Sequence, residues 1–352
     1  MAYPRLDIHL DVVKNNVKVV HSLCAEHGIH ITGVTKVFSA DPLLVQAYID
    51  GGLEKIGDAR IENLKRVAHM SIEKWLIRVP SLTQVADVVR YADVSLNSEI
   101  ETLIALNEEA KKQQKKHKII LMIDLGDLRE GYVNEAELLH VVSLMKELKS
   151  LILYGVGTNL SCLSFVLPSE EKMQALFQLS QSLPLKNPIV SGGNSATIAL
   201  MMEGGIPKGI NNMRLGESLL FGKERKGYTY LEGTRKDAFI LQAEIVELKE
   251  KPSLPWGEIG VDSYGMKPQS PHDNGQGLRA ILAIGKQDCD IETMRPLNPH
   301  IEILGASSDY LIISLANSRE TYHVGSIISF ELGYFSLMRA QMSSFVEKHY
   351  IS

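Results

Sequence analysis

The sequence predicts an α/β protein in two parts: a (β/α)8 TIM-like barrel over residues 1–228 and a mainly β domain over 229–352. Three observations carry this. Between residues 29 and 216, eight short β-branched or apolar runs alternate with amphipathic helical patterns, the signature of a closed parallel barrel. Past Gly222 the texture changes, and Lys223 to Lys236 is polar and glycine-bearing, as a linker would be. From Phe239 onward one strand-like run follows another, separated by Pro, Gly, Asp and Asn turns.

In chain order, Pro4–Ile8 reads as a short strand and Asp11–His27 is helical in period, ending at Gly28. The eight runs are Gly33–Lys36, Lys55–Asp58, Trp75–Val79, Val94–Asn97, Ile119–Asp124, Leu153–Gly157, Pro188–Gly192 and Asn212–Gly216. Helical patterns lie between them at Pro42–Asp50, Ile61–His69, Leu82–Tyr91, Glu99–Lys116, Glu135–Leu148 and Ser169–Leu183. An open doubly wound sheet is second choice, since no Gly-x-Gly-x-x-Gly follows the first strand. The C-terminal strands are Ile240–Leu248, Arg279–Ile284, Glu302–Leu304, Tyr310–Leu315 and Ser326–Phe330, with a final helix over Tyr334–Lys348.

Composition excludes more than it assigns. A net charge of -5 with pI near 6.1 gives no electrostatic case for nucleic acid or an anionic membrane. The Lys111–Lys118 run reads as a solvated helix end. No apolar run approaches the roughly 20 residues of a membrane span, and Met-Ala-Tyr-Pro-Arg opens no signal peptide. Cys24, Cys162 and Cys289 are odd in number and far apart, so neither a disulfide framework nor a metal site is expected. A cytoplasmic protein is the default expectation.

Chemistry in a parallel barrel gathers at the carboxyl ends of the strands. There the first run offers Lys36, ahead of a helix opened by Asp41-Pro42. Desolvating an ammonium lowers its pKa, and such a lysine is the nucleophile that reacts with an aldehyde. Taken alone, Lys36 fits a strand-end lysine reaching into water equally well or better. The seventh run offers Gly192-Gly193-Asn194-Ser195, where N–H groups and a hydroxyl suit an anion, or else form an ordinary cap on a glycine turn. The eighth offers Arg214-Leu215-Gly216-Glu217, with Arg214 either a functional cation or an ion pair with Glu217.

A reactive lysine, a phosphate cradle and a fixed arginine together suit pyridoxal 5′-phosphate. On Gly-Val-Thr-Lys36, Asp124-x-Gly-x-x-Arg129-x-Gly131, Asn194-Ser195-Ala196 and Arg214-x-Gly216, the chain resembles fold-type III pyridoxal-phosphate enzymes, alanine racemase and its relatives. The resemblance covers nearly the whole chain. Gly-Thr-Asn159-Leu-x-Cys162, Ser-Gly-Gly-Asn-Ser, Asn212-x-Arg214-x-Gly-Glu217 and Ala283-Ile-Gly-Lys-Gln-Asp288 look most like the ornithine-racemase-type branch.

The resemblance implies roles. Lys36 would hold the cofactor aldehyde and move the substrate Cα proton on one face. Arg129 would sit near that lysine and the substrate carboxylate. Ser195, with backbone N–H groups around Gly193 and Gly216, would bind phosphate, and Asn159, Asn194, Glu217 and Tyr334 would complete the cofactor site. Arg214 would face the pyridine nitrogen, which favours racemisation over decarboxylation, because related decarboxylases place a glutamate there. Lys286 aligns with the family's second base, a tyrosine of the partner subunit's β domain, and Tyr264 is a rival. Two further departures are Ala40, in place of a phosphate-touching tyrosine, and Asn159, in place of a histidine. Asp288, Ser308 and Asp309 align near the substrate pocket, where carboxylates would suit a terminal amine such as that of ornithine or lysine. The resemblance therefore implies a homodimeric amino-acid racemase. Alternatives are an alanine or broad-specificity racemase, a lyase of the D-threonine aldolase or D-serine dehydratase type, a decarboxylase, and a non-catalytic cofactor carrier. The lyases use a histidine-bearing metal site that Gln-Asp-Cys289-Asp lacks.

Overall fold

The computed structural model describes residues 2–261 and 275–352. After β1 (Arg5–His9), eight parallel strands close into a barrel. They are β2 (His30–Val34), β3 (Lys55–Asp58), β4 (Glu73–Leu76), β5 (Val94–Asn97), β6 (His117–Ile123), β7 (Leu151–Thr158), β8 (Ile189–Ser191) and β9 (Asn212–Leu215). Closure is made by β9 against β2, with Ile31 opposite Met213 and Gly33 opposite Leu215. Trp75, Val94, Leu96, Ile120 and Met122 form a packed apolar cluster on β4, β5 and β6. Outside the barrel, the helix Leu10–Glu26 buries Val13, Val17, Val20 and Cys24, the spacing of one helical face. The helix Pro42–Asp50 starts where the sequence says it should: Asp41 accepts from Leu43 N at 3.0 Å and Leu44 N at 3.3 Å. Pro42 takes the first position, where no N–H is needed.

The second unit is antiparallel. It contains β10 (Phe239–Pro252), β11 (Gln276–Leu282), β12 (Met294–Pro296), β13 (Glu302–Ala306), β14 (Leu311–Ser314), β15 (Ile327–Leu332) and β16 (Glu347–Ile351). Its order is β12-β15-β10-β11-β14-β13, with β1 against β10 and β16 against β1. Alternate residues of β10, from Phe239 to Ile245, are buried, the period of a sheet with one wet face.

Three boundaries differ from the sequence expectation, each because a non-local contact decides it. The compact units are His9–Ala238 and a second made of Met1–Ile8 with Phe239–Ile351. So the strand read at Pro4–Ile8 leaves the barrel domain, because Leu6 pairs with Leu241. The stretch Lys223–Lys236 is no linker. Glu224 accepts from Gly227 N and Thr229 N, each at 2.9 Å, and Arg235 is held by both amide atoms of Asn16. The last helix stops at Met342, because Glu347–Ile351 is needed as a strand beside β1.

Candidate active site

The lysine turn comes first. β2 ends at Val34, two residues short of Lys36. Thr35 turns the chain by donating through N to Gly57 O at 2.9 Å and through Oγ1 to Asp58 Oδ2 at 2.6 Å. Lys36–Phe38 then forms a 3-10 turn, Ser39 and Ala40 are left-handed (φ 51 and 47), and Phe38 packs edge-on against Tyr48 at 5.4 Å. Lys36 is therefore presented at the carboxyl rim of the barrel, with part of its side chain exposed. The protein around it still desolvates the ammonium and pulls its pKa down. Cys162 and Asp58 oppose that fall, while Arg129 and Arg225 reinforce it.

Arg129 sits on a loop whose glycines the backbone requires. Asp124 Oδ1 accepts from Gly126 N at 2.8 Å and Leu128 N at 3.2 Å, an Asx turn. Gly131 has φ 133, and a Cβ there would lie 2.5 Å from Asp124 N. Both features of Asp-x-Gly-x-x-Arg-x-Gly thus have a geometric cause. The Arg129 guanidinium pairs with Glu130, Nη2 to Oε1 at 2.6 Å. With its amide oxygen toward the guanidinium, Asn159 accepts from Arg129 Nη2 at 2.8 Å, the orientation that matches acceptor to cation. Asn194 Nδ2 donates to Leu160 O at 2.7 Å and approaches Cys162 Sγ at 3.4 Å.

Beneath this loop lies a lock the sequence reading missed. Asp127, fully buried, accepts backbone bonds from Cys162, Leu163, Ser164 and Val166 at 3.0–3.4 Å. Burial pushes its carboxyl pKa up, but the N–H donors outweigh that and hold it below the ordinary range. Asp127 fastens the loop after β7 to the loop after β6, and so fixes Asn159 and Cys162 relative to Arg129.

Arg214 is buried at the barrel mouth. Its Nη1 donates to Ser191 Oγ at 2.5 Å and its Nη2 to Thr158 O at 2.6 Å. Ser191 Oγ donates in turn to Asn212 Oδ1 at 2.6 Å, and Asn212 Nδ2 reaches Thr32 Oγ1 at 3.0 Å. A Cβ on Gly157 would stand 3.2 Å from Ser191 Cβ, tight against the serine that holds the guanidinium. Burial lowers its pKa to about 10, so it remains a cation at neutral pH. No pair with Glu217 forms. Glu217 Oε2 instead meets Arg225 Nε at 3.0 Å, a residue absent from the sequence reading, and burial raises the Glu217 pKa against the pull of Arg225.

Just past the end of β8, Gly193 turns at φ 113, and Asn194 Oδ1 caps Ala196 N at 2.9 Å. Ser195 follows in a 3-10 turn and accepts Ser218 N at 3.3 Å. Gly216 packs so tightly that a Cβ would sit 3.1 Å from Val34 Cβ. The barrel thus brings Lys36, Arg129, Asn159, Asn194, Ser195, Arg214 and Glu217 to one rim.

The residues expected on the β domain separate into two groups. Lys286 N donates to Ser307 O at 2.9 Å, and Gln287 Nε2 donates to Asp309 Oδ1 at 2.7 Å. Ser308 Oγ donates to Asp309 Oδ2 at 2.6 Å, so Lys286, Ser308 and Asp309 share one exposed corner. Gly285 makes that corner possible, because a Cβ would strike Ser308 O at 2.2 Å. Asp288 instead accepts Ser343 Oγ at 2.6 Å and belongs to the packing of the last helix. Tyr334 opens that helix, its ring 5.4 Å from Phe335. Tyr264 lies outside the described residues.

Comparison with known proteins fits this rim. Residues 8–224 match the family described as "Alanine racemase, N-terminal domain". The chain belongs to the alanine racemase family. Among members of this family, the ornithine racemase of Acetoanaerobium sticklandii is 42% identical over 98% of this chain and 99% of its own. The lysine racemase of Thermotoga maritima is 33% identical over 99% of each. Of solved structures, alanine racemase from D-cycloserine-producing Streptomyces lavendulae superposes with TM-score 0.75 at 16% identity, covering 100% of this chain and 98% of that one. Alanine racemase from Bartonella henselae, solved with covalently bound pyridoxal phosphate, gives 0.72 at 16% identity over 100% of each chain. The family's barrel and β domain are thus both present.

Proposed function

We propose that this chain is a pyridoxal 5′-phosphate-dependent racemase of a basic amino acid, ornithine or lysine, working as a homodimer. One observation carries the reading: Lys36, its pKa lowered, stands on the same rim as Arg129 and the buried, hydrogen-bonded Arg214. The substrate class rests on the 42% and 33% identities to an ornithine and a lysine racemase. The residues fit the cofactor. Thr158 Oγ1 and Ser218 Oγ are buried without a hydrogen-bond partner among the described residues, one beside Arg214's acceptor and the other beside Ser195. Ser195, Ser218 and the backbone at Gly193 and Gly216 would hold the phosphate, and Arg214 the ring nitrogen.

Bound there, the cofactor supplies an aldehyde for Lys36 and an electron-withdrawing ring that acidifies the substrate Cα–H. Lys36 Nζ, lowered in pKa by burial, then takes or returns the Cα proton on one face. Arg129, steadied by Asn159 and Glu130, orients the substrate carboxylate. Arg214 would donate a hydrogen bond to the ring nitrogen without giving up its proton, so that nitrogen would stay unprotonated and the ring would be a weaker electron sink. That restraint favours simple proton transfer over loss of carbon dioxide. Lys286, on the β domain of the second copy, carries the proton on the opposite face, with Ser308 and Asp309 beside it to receive a terminal amine.

The test is Cα solvent-deuterium exchange by NMR on the cofactor-loaded protein, with L- and D-amino acids. Exchange with inversion, strongest for ornithine or lysine, is expected. Exchange without inversion would remove the second base from the scheme, and its absence would refute the racemase reading.

A further inference from the structure

We infer that Arg225, outside every motif considered above, is the cationic phosphate ligand of the cofactor site and is positioned by Glu217. This rests on the cofactor reading of the preceding section and adds a residue to it.

The topology places the pair. Leu215 is opposite Gly33 in the β9–β2 register, and Gly216 packs against Val34, so Glu217 emerges next to the lysine turn. Glu217 Oε2 meets Arg225 Nε at 3.0 Å, with side chains only 16% and 26% exposed. Directly after Glu217, Ser218 is fully buried, its Oγ has no hydrogen-bond partner among the described residues, and its N–H reaches Ser195 Oγ. Buried polar atoms are rarely left unpaired, so the Ser218 hydroxyl points to a ligand that offers it an acceptor.

Charge then decides what Arg225 does. A phosphate carries roughly −1.5 to −2 charges, and a carboxylate beside it would repel it. Glu217 is such a carboxylate. An arginine between them resolves the conflict. The guanidinium has five N–H donors in a planar fork that matches phosphate oxygens. Glu217 Oε2 stands 3.0 Å from Nε in an ion pair that makes no hydrogen bond, Tyr228 engages the same guanidinium, and donors remain for an anion. Burial works against the charge on Arg225, but Glu217 and Tyr228 together outweigh it. Glu217 is thus a positioning residue, and Arg225 would touch the cofactor.

The experiment compares pyridoxal phosphate with pyridoxal, which lacks only the phosphate. Each is titrated by absorbance into the full-length protein stripped of cofactor, and the ratio of their dissociation constants is read. In Arg225→Gln the affinity for pyridoxal phosphate should fall about tenfold to a hundredfold, with pyridoxal unchanged. Arg225→Lys should fall between the two and serves if the glutamine variant does not fold. Glu217→Gln should weaken the phosphate form less than Arg225→Gln. Equal weakening of both ligands, or of neither, would overturn the assignment and leave a structural ion pair. Failure of the unaltered protein to prefer pyridoxal phosphate would overturn the cofactor reading itself, and this inference with it.

Discussion

Ser191 accepts a hydrogen bond from Arg214 Nη1 at 2.5 Å and donates one to Asn212 Oδ1. Arg214 therefore takes its place from the barrel interior. In Ser191→Ala the buried guanidinium loses an acceptor, and leaving a charged donor unpaired costs about 1–3 kcal/mol. Urea denaturation should show a loss of that size. Turnover should fall while the KM for substrate stays nearly level, because Ser191 acts through Arg214 and not on substrate. Unchanged turnover would mean Arg214 needs no such support.

Asp127 makes the loop lock sensitive to acid. Its folded-state pKa is depressed, so the bonds to Cys162, Leu163, Ser164 and Val166 stabilise the fold fully above the ordinary carboxyl value near ~4. That contribution is lost as pH falls through the depressed value. Limited proteolysis should cut between residues 160 and 167 at progressively lower pH. In Asp127→Asn the same cuts should appear already at neutral pH, with a stability loss of about 1–3 kcal/mol.

Gly131 cannot accept a side chain cheaply. An alanine there combines φ 133 with a backbone contact of 2.5 Å, and the backbone has nowhere to give. Gly131→Ala should raise the KM for substrate at least tenfold by displacing Arg129, with a melting temperature lowered by a few degrees. Wild-type KM in this variant would show that the loop can rearrange without moving the arginine.

Lys36 should titrate early. Since burial lowers its pKa, the neutral amine is populated at lower pH than in an ordinary lysine near ~10.4. The rate of acylation of Lys36 in cofactor-stripped protein, followed by peptide mass spectrometry against pH, gives the midpoint directly. Arg129→Gln removes a cation that reinforces the fall, so the midpoint should move up.

Asp309 and Asp288 should separate function from packing. Asp309 shares a corner with Lys286 and Ser308, whereas Asp288 is committed to Ser343. Asp309→Asn should lower the ornithine-to-alanine ratio of kcat/KM by about tenfold, the worth of one charge-assisted contact. Asp288→Asn should leave that ratio within twofold and lower the melting temperature.

Much of this was legible in the residues, and the reason is local. β-branched runs set between helical periods mark the barrel strands, because each strand is buried on both faces. Asp124, Gly126 and Gly131 are readable as a motif because backbone geometry allows few alternatives there. What was not legible depends on partners far along the chain. Nothing near Pro4 says that Leu6 will pair with Leu241. Nothing near Arg214 says that Glu217 will choose Arg225, since both arginines are within reach in sequence. Asp127 lies inside a recognised motif, yet its partners are some 35 residues away, Cys162 at 35 and Leu163 at 36.

The pairing of β1 with β10 has a consequence for synthesis on the ribosome. Leu6 is made early, but its neighbour Leu241 is added 235 residues later (241 − 6). At roughly 5–20 residues per second, the first strand waits on the order of ten seconds or more with an unpaired edge. All eight barrel strands are complete before that partner exists, so the barrel can close while β1 still lacks β10. A splice that moved residues 1–8 to just ahead of β10 would end that wait, and refolding yield at high protein concentration is where the difference should register.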